Sequence, residues 1–393
     1  MKKNKKGEVS VVISIDTEGP IKNKKKPEII DNWSKTKKLI NLMTNDKFRM
    51  KFKDKGKNGI IYSWFILTLT GFKTNPYKRP MKYNLTYNFY RDNFLKNFLK
   101  YNDEIYWHYH QPAKSGIGNE WSRDWNASQE YLNILNRLIV DKKFFPSCFR
   151  AGGRIEDNDL SNWLENYIPF DYSNCSGKIN WNRIESDGRK LREVADWSNA
   201  TTSWVGYNPD KNNYQKIGNQ KRYIFRCMDL KSPVYELKDS DIEQAFEAAE
   251  AGENAILSVF EHDRRFNTID NIYDFCERLS KISKKYKKIK WFYRNAKNAA
   301  LKQKNIKNDI APKFELKILK ENRIFISTND DLFGKFPYVC IKQGKKYFEI
   351  NLMISGLNKW VSSPVSLKGK FDVFVVANNN SGNSLVQQKK FNI

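Results

Sequence analysis

Two short segments of the chain carry side chains of the kinds that bind metal ions. An apolar run over residues 9–15 leads into two carboxylates, Asp16 and Glu18, and a later segment holds His108 and His110. Residues i and i+2 of a β-strand point to the same side, so these two imidazoles can hold one ion. Two imidazoles and a carboxylate make a three-ligand site with open positions for water and substrate.

Two further segments would complete a hydrolytic site. Arg150 follows a phenylalanine and precedes a Gly-Gly pair, while His262 and Asp263 follow the apolar run 255–260. Together the two segments with imidazoles contain all 3 histidines of the chain. In such a site, one carboxylate takes a proton from water. His262, held by Asp263 or a neighbour, then protonates the leaving group.

Each of these features alone also has a structural interpretation. An acidic residue after a strand often caps a helix, an arginine often forms an ion pair, and a Gly-Gly pair often makes a turn. A histidine pair on a strand can be a polar face, and His262 with Asp263 can be a loop hydrogen bond. Only the ordered set of four segments favours a catalytic site.

The elements that must position these residues alternate between strand and helix up to about residue 300. Apolar runs such as 60–69 and 255–260 favour strands, and the 3.6-residue stripe over 272–282 favours a helix. This alternation predicts βα units in a parallel sheet or barrel, where active sites lie at the carboxyl ends of the strands. Residues 175–220 show few periodic signals and are predicted to form long loops.

After Pro312 the pattern changes to alternating apolar residues, as in Phe348, Ile350 and Leu352, punctuated by turn residues. Alternation of this kind predicts a small antiparallel β-sandwich. The chain is therefore predicted to be α/β, with a barrel over 1–300 and a C-terminal sandwich-like domain over 312–393.

The four segments, in this order and spacing, resemble the polysaccharide deacetylase superfamily (NodB-homology, carbohydrate esterase family 4-like). The forms Asp-x-Glu, His-x-His, Phe-Arg-Ala-Gly-Gly and His-Asp-x-Arg are similar to its surface-polysaccharide biosynthesis branch, as are Asp171-Tyr172-Ser173 and Tyr207-Asn208-Pro209-Asp210. The resemblance covers about residues 8–300. It implies a distorted (β/α)7 TIM-like barrel, one divalent metal ion (zinc first, with cobalt, nickel or manganese as alternatives) and removal of an N-acetyl or O-acetyl group from a sugar.

The resemblance also implies roles for individual residues. Asp16 corresponds to the catalytic base, Arg150 to the arginine that orients the base, and His262 to the general acid. His108 and His110 correspond to the metal-binding pair. The family usually has adjacent aspartates where this chain has Asp-Thr-Glu, so two assignments stay open: Glu18 binds the metal and Asp16 is the base, or the roles are exchanged.

The composition of the chain limits which partners and which cellular compartment are expected. The 393 residues contain 70 Lys and Arg against 44 Asp and Glu, a net charge of +26, which invites an anionic partner such as an anionic or lipid-linked glycan or a membrane surface. The lysine runs lack the pattern of a specific nucleic-acid module. Five widely spaced cysteines without a Cys-x-x-Cys motif, and the lack of a long apolar run, predict a cytoplasmic protein.

Aromatic residues offer a weaker signal. Trp107, Trp121, Trp125 and Trp181 could stack on sugar rings, although most tryptophans pack in a core.

Three functions from different classes compete on this evidence. A metal-dependent sugar deacetylase requires metal held by the histidine pair. A catalytically inactive glycan-binding protein with the same fold would bind glycan without that pair. A charge-driven binder of anionic polymers or membranes would respond steeply to salt and ignore sugar identity. The four-segment set favours the first.

Overall fold

The computed structural model describes residues 6–22, 28–118, 120–184, 190–231 and 236–393. Its main sheet is parallel. The strands of the first three hundred residues are β1 (Glu8–Thr17), β2 (Tyr62–Leu67), β3 (Glu104–Tyr109), β4 (Cys148–Ala151), β5 (Phe170–Asn174), β6 (Lys178–Ile184), β7 (Lys190–Asp196), β8 (Tyr223–Arg226), β9 (Met228–Asp229), β10 (Ala255–His262) and β11 (Lys290–Tyr293).

The parallel strands close into a barrel. Their order is β8-β5-β4-β3-β2-β1-β10-β9, and β11 pairs with β1. Only Cys227 separates β8 from β9, and its N–H donates to the carbonyl of Asn174 on β5. The segment 223–229 is thus one bent strand that pairs with β5 on one side and β10 on the other. The predicted distorted (β/α)7 TIM-like barrel followed by a small all-β part is confirmed.

Strand β1 is central to this arrangement. All of its residues after Glu8 are buried. Its first half pairs with β11 and its second half with β2, while β10 runs along it from Val9 to Asp16. An apolar strand covered on both faces is what a parallel barrel requires. The carboxyl end of β1 therefore lies among neighbouring strands that end at the same mouth.

Helices cover the outside of the barrel. They are α1 (Trp33–Met43), α2 (Asp46–Arg49), α3 (Leu85–Tyr101), α4 (Glu130–Lys142), α5 (Asn158–Leu164), α6 (Asp239–Glu250), α7 (Thr268–Ser283) and α8 (Ala296–Lys304). The stripe predicted over 272–282 is the buried face of α7. Among the described residues, none of these helices is long and apolar enough to cross a bilayer.

Successive residues of β1 point alternately into two different hydrophobic cores. Val11, Ile13 and Ile15 belong to the large core between the strands and helices, whereas Val12 belongs to the core inside the barrel. The same period places Ser14 and Asp16 with Val12 on the inner side. The barrel interior thus begins apolar and becomes polar toward the carboxyl ends of its strands.

The C-terminal part is a β-sandwich of two four-stranded antiparallel sheets. Its strands are β12 (Glu315–Ile318), β13 (Ile324–Ser327), β14 (Tyr338–Gln343), β15 (Lys346–Glu349), β16 (Leu352–Gly356), β17 (Lys359–Ser362), β18 (Lys370–Val376) and β19 (Gln387–Asn392). It packs on the barrel, where the Tyr338 hydroxyl donates to Asn136 and the Asn378 amide donates to the Pro146 carbonyl. The division into units at 1–300 and 312–393 stays a prediction.

The prediction of long loops over 175–220 was partly wrong. The strands β6 and β7 form a two-stranded antiparallel hairpin within this range. Its sequence, polar and poor in strong periodicity, hid the hairpin because neither face is a continuous apolar stripe.

Candidate active site

The candidate site lies at the carboxyl ends of the barrel strands. Asp16 is paired in register with His262 across β1 and β10, and His108 is paired with Arg150 across β3 and β4. Strand geometry places paired residues of neighbouring parallel strands on the same side. Side chains from four separate segments therefore face one small volume, as the sequence predicts.

Glu18, His108 and His110 converge most closely. One ligand atom from each lies within 4.8 Å of the others, and all three residues are buried. The Nε2 atoms of His108 and His110 are 3.1 Å apart, and Oε1 of Glu18 is 4.0 Å from Nε2 of His110. The structure thus brings together the three residues expected to hold a metal.

The orientation of His108 is set by the backbone of β4. Its Nδ1 lies 3.0 Å from the carbonyl oxygen of Arg150. A carbonyl can only accept, so Nδ1 carries the proton and Nε2 presents a lone pair toward Glu18 and His110. Burial, and next the neighbouring His108, lower the pKa of His110 well below its ordinary value. A neutral imidazole of this kind is ready to act as a ligand.

Glu18 divides its two oxygens between different partners. Oε2 forms ion pairs with Arg79 at 2.5 Å and with Arg264 at 2.7 Å, while Oε1 lies 3.5 Å from Nε2 of His262. Burial opposes ionisation, but Arg264 and Arg79 outweigh it and lower the pKa of Glu18 well below its ordinary value. The carboxylate is therefore charged, and Oε1 faces the imidazoles.

Asp16 is held by a different arginine. Its Oδ2 lies 3.2 Å from Nε of Arg150, and its buried Oδ1 has no hydrogen-bond partner among the described residues. Arg150 is itself completely buried, with Nη1 3.2 Å from Sγ of Cys227 and its guanidinium 3.7 Å from the centre of the Phe260 ring. Asp16 is thus not one of the three residues whose ligand atoms cluster, which are Glu18, His108 and His110.

His262 lies at the edge of this group. Its Nδ1 is buried without a hydrogen-bond partner among the described residues. Burial is the main cause that lowers its pKa well below the ordinary value, and Arg265 and Arg264 add to the effect. The imidazole is neutral at rest.

The expectation that Asp263 holds His262 was wrong. Asp263 accepts from the backbone N–H groups of Glu18 and Gly19 and from the Tyr90 hydroxyl. Successive residues of an extended chain point to opposite sides, so Asp263 turns away from the ring of His262. Burial raises its pKa to about 7. Its role in the structure is to fix the loop that carries Glu18.

Sequence reasoning missed the two arginines that hold Glu18. Arg264 lies two residues after His262, in a segment that its histidine marks as a site candidate, so its position is a usable signal. Arg79 lies in the irregular stretch between β2 and α3, where no periodicity marks it. Its contact with Glu18 spans 61 residues of sequence, which local patterns do not reveal.

The candidate tryptophans whose side chains are described differ in burial. Trp107 and Trp125 are buried in the main core, and Trp181 lies outside the residues whose side chains are described. Trp121 is half-buried, with its ring centre 4.3 Å from that of His110 and an edge contact to Phe72. Of the described three, Trp121 is the aromatic face beside the candidate ligands.

The donor set fits a divalent ion of the zinc type. Two imidazole nitrogens and one charged carboxylate oxygen point to a common volume, and the backbone bond of His108 supplies the outer contact that orients a ligand. The carboxylate keeps Oε1 toward the imidazoles while both arginines use Oε2. Nε2 of His110 lies within hydrogen-bond distance of Nε2 of His108, so an ion held by both nitrogens would replace this contact.

Comparisons with known proteins return few matches. No protein-family model and no curated protein matches the chain. Two structures of a GH29 alpha-L-fucosidase from Bacteroides thetaiotaomicron are 12% and 11% identical, cover 91% of this chain and 82% and 81% of theirs, and give TM-scores of 0.27. A beta-glucuronidase from Parabacteroides merdae is 8% identical, with 98% of this chain and 49% of that chain covered and a TM-score of 0.19. Similarity at this level assigns no activity to this chain.

Proposed function

We propose that this chain is a metal-dependent hydrolase that removes an acetyl group, N-acetyl before O-acetyl, from a sugar during glycan or polysaccharide synthesis. One observation carries the proposal: Glu18, His108 and His110 converge with ligand atoms within 4.8 Å, beside a separate carboxylate, Asp16, held by Arg150. A ligand cluster and an adjacent, independently held base are the two parts that metal-assisted hydrolysis requires.

The chemistry that a divalent ion, zinc first, supplies when held by Glu18, His108 and His110 is polarisation of the carbonyl and a lower pKa of water. Asp16 presents its unpartnered Oδ1 to take the proton of the attacking water, while Arg150 keeps Oδ2 in place. The ion pair with Arg150 restrains the orientation of the carboxylate, which favours proton transfer from one geometry.

His262 completes the proton path. Cleavage of the acetyl group requires a proton on the departing nitrogen or oxygen. Because the pKa of His262 is lowered, its imidazole is neutral and must first receive a proton before it can donate one. Its register position opposite Asp16 supports a relay of the proton from water to the leaving group.

The direct test measures metal and acetate separately. Elemental analysis of the native protein, after loading with zinc, cobalt, nickel or manganese, should find about one equivalent of metal. The His108→Ala/His110→Ala variant should contain none. Acetate release is then screened over acetylated sugars. Lack of metal in both proteins would reject the proposal and favour a non-catalytic glycan-binding role.

Asp16→Asn separates the base from the ligands. It should lose about 100-fold or more in acetate release, the usual contribution of a positioned general base, and keep the native metal content. Asp92→Asn, at an exposed position of α3, is the matched control and should change neither quantity. Loss of metal in Asp16→Asn would instead make Asp16 a ligand and reverse the two assignments.

The substrate setting rests on composition. The charge of +26 favours an anionic or lipid-linked glycan and peripheral contact with a membrane surface, which stay predictions. The five cysteines are free and buried, which agrees with a chain that needs no disulfide, and a cytoplasmic setting also stays a prediction.

A further inference from the structure

Arg154 is a buried arginine that the proposed chemistry does not use. It is 5% exposed, and its Nη1 has no hydrogen-bond partner among the described residues. Its backbone carbonyl is occupied, because Nε1 of Trp197 donates to it, and its guanidinium lies over the ring of Phe260, at 5.0 Å from the ring centre. A buried guanidinium normally pairs with a carboxylate, because an unpaired buried charge is costly.

The position of Arg154 relates it to the candidate site. The Phe260 ring that it touches also carries the guanidinium of Arg150 at 3.7 Å, and the centre of the His262 ring lies 5.6 Å from that of Phe260. Arg154 therefore shares one aromatic ring with Arg150, the ion-pair partner of the proposed base. Its φ of +59° is disfavoured for a residue with a Cβ, so the loop after β4 accepts strain where it sets this side chain.

Arg154 differs from the other arginines at the barrel mouth in its charged partners. Glu18 contacts both Arg79 and Arg264, Asp16 contacts Arg150, and Glu261 lies 3.7 Å from Arg265. In the described part of the chain, no ion pair to a carboxylate is formed by Arg154. A divalent ion on Glu18 would add further positive charge.

One other carboxylate belongs to this region. Asp229 is buried on β9, in register with Phe260, and contributes to raising the pKa of Arg150. One of its oxygens accepts from the backbone N–H of Lys231. It forms no salt bridge to Arg154, so the guanidinium still has donors to offer to a ligand.

We propose that Arg154 binds an anionic substituent, a carboxylate or a phosphate, carried by the sugar whose acetyl group is removed. Arginine recognises both groups through paired N–H donors in one plane. The inference rests on the proposed function and deepens it, since it assigns the substrate to acidic sugars. A neutral sugar would leave the guanidinium buried without a partner, so the site selects against it.

The test measures binding to metal-free protein, so that it does not depend on hydrolysis. Calorimetric titrations use D-glucuronate, glucose 1-phosphate and glucose as probes. The native protein should bind one or both charged sugars about tenfold or more tightly than glucose, as one charge-assisted contact would give. The preferred charged probe shows whether a carboxylate or a phosphate is recognised.

Variants then assign the effect to Arg154. Arg154→Gln should weaken binding of the preferred charged sugar about tenfold or more, to the level of glucose, and Arg154→Lys should retain part of it. Arg91→Gln, which removes the same charge from an exposed position of α3, should bind as the native protein does. If Arg154→Gln fails to fold, the graded loss in Arg154→Lys carries the test.

Three results would overturn the inference: equal binding of charged and neutral sugars, no binding of any probe, or native-like binding of the charged sugar by the Arg154 variants. The metal content of Arg154→Gln is measured in parallel and should equal that of the native protein. A native protein that selects the charged sugar but holds no metal would reject the proposed hydrolysis while leaving the role of Arg154 intact.

Discussion

Gly152 offers a test of the metal cluster that alters no ligand. It follows β4, and a Cβ at this position would lie 2.2 Å from Cγ and 2.3 Å from Cδ2 of the His110 ring. Ordinary contact begins at 3.4 Å, so the ring would have to retreat by 3.4 − 2.2 = 1.2 Å. Metal–ligand distances tolerate only about 0.2 Å. Gly152→Ala should therefore remove His110 from the cluster.

The expected loss of metal affinity is about 100-fold or more, because even disturbance of an outer contact to a ligand costs 10–100-fold. Competition with a chromophoric zinc chelator measures the dissociation constant. Circular dichroism checks the fold, because the added Cβ would also lie 2.7 Å from Cα of His110.

Gly356→Ala is the matched control. The nearest atom to its new Cβ is 3.5 Å away, on Lys359 in the sandwich, so metal affinity should not change. A folded Gly152→Ala protein that binds zinc with native affinity would refute the placement of His110. If Gly152→Ala is unfolded, His110→Gln replaces it, and native zinc affinity in that variant would refute the placement equally.

Two further predictions concern stability. Asp103 is fully buried in its ion pair with Arg49, at 2.8 and 2.6 Å, and also accepts from Trp64, so Asp103→Ala should lower the free energy of unfolding by about 3–5 kcal/mol in urea titrations. A loss below about 1 kcal/mol would contradict a buried pair. Burial raises the pKa of Glu261 to about 7, so the folded state binds more protons than the unfolded state between pH 4.5 and 7, and stability falls as pH rises through this window. Glu261→Gln should therefore gain about 3 kcal/mol relative to the native protein between pH 4.5 and 7.5. A pH-independent difference between the two proteins would count against this assignment.

The architecture follows from local patterns that are visible in the sequence. Apolar strands alternating with a 3.6-residue stripe such as that of α7 predict a parallel barrel, and the two-residue period after Pro312 predicts the sandwich. The i, i+2 spacing of His108 and His110 similarly predicts that their rings share a side. These inferences succeed because strand and helix periods are properties of the local backbone.

Other features depend on partners far away in sequence. The hairpin of β6 and β7 lacks a strong period, and the burial of Trp107 and Trp125 depends on which helices cover the strands. Arg154 looks like any loop arginine until the barrel closes and places it against Phe260.

The amino-acid sequence by itself determined the types, order and strand positions of the residues at the barrel mouth. Only the tertiary structure decided how their charges are shared. One oxygen of Glu18 contacts two arginines, and the other faces the imidazoles. Asp16 forms an ion pair with Arg150. Asp263 accepts from the backbone N–H of Glu18 instead of contacting His262. The physical reason is that a buried carboxylate is stabilised by whichever donors the closed barrel brings to it, and those donors lie on other segments of the chain.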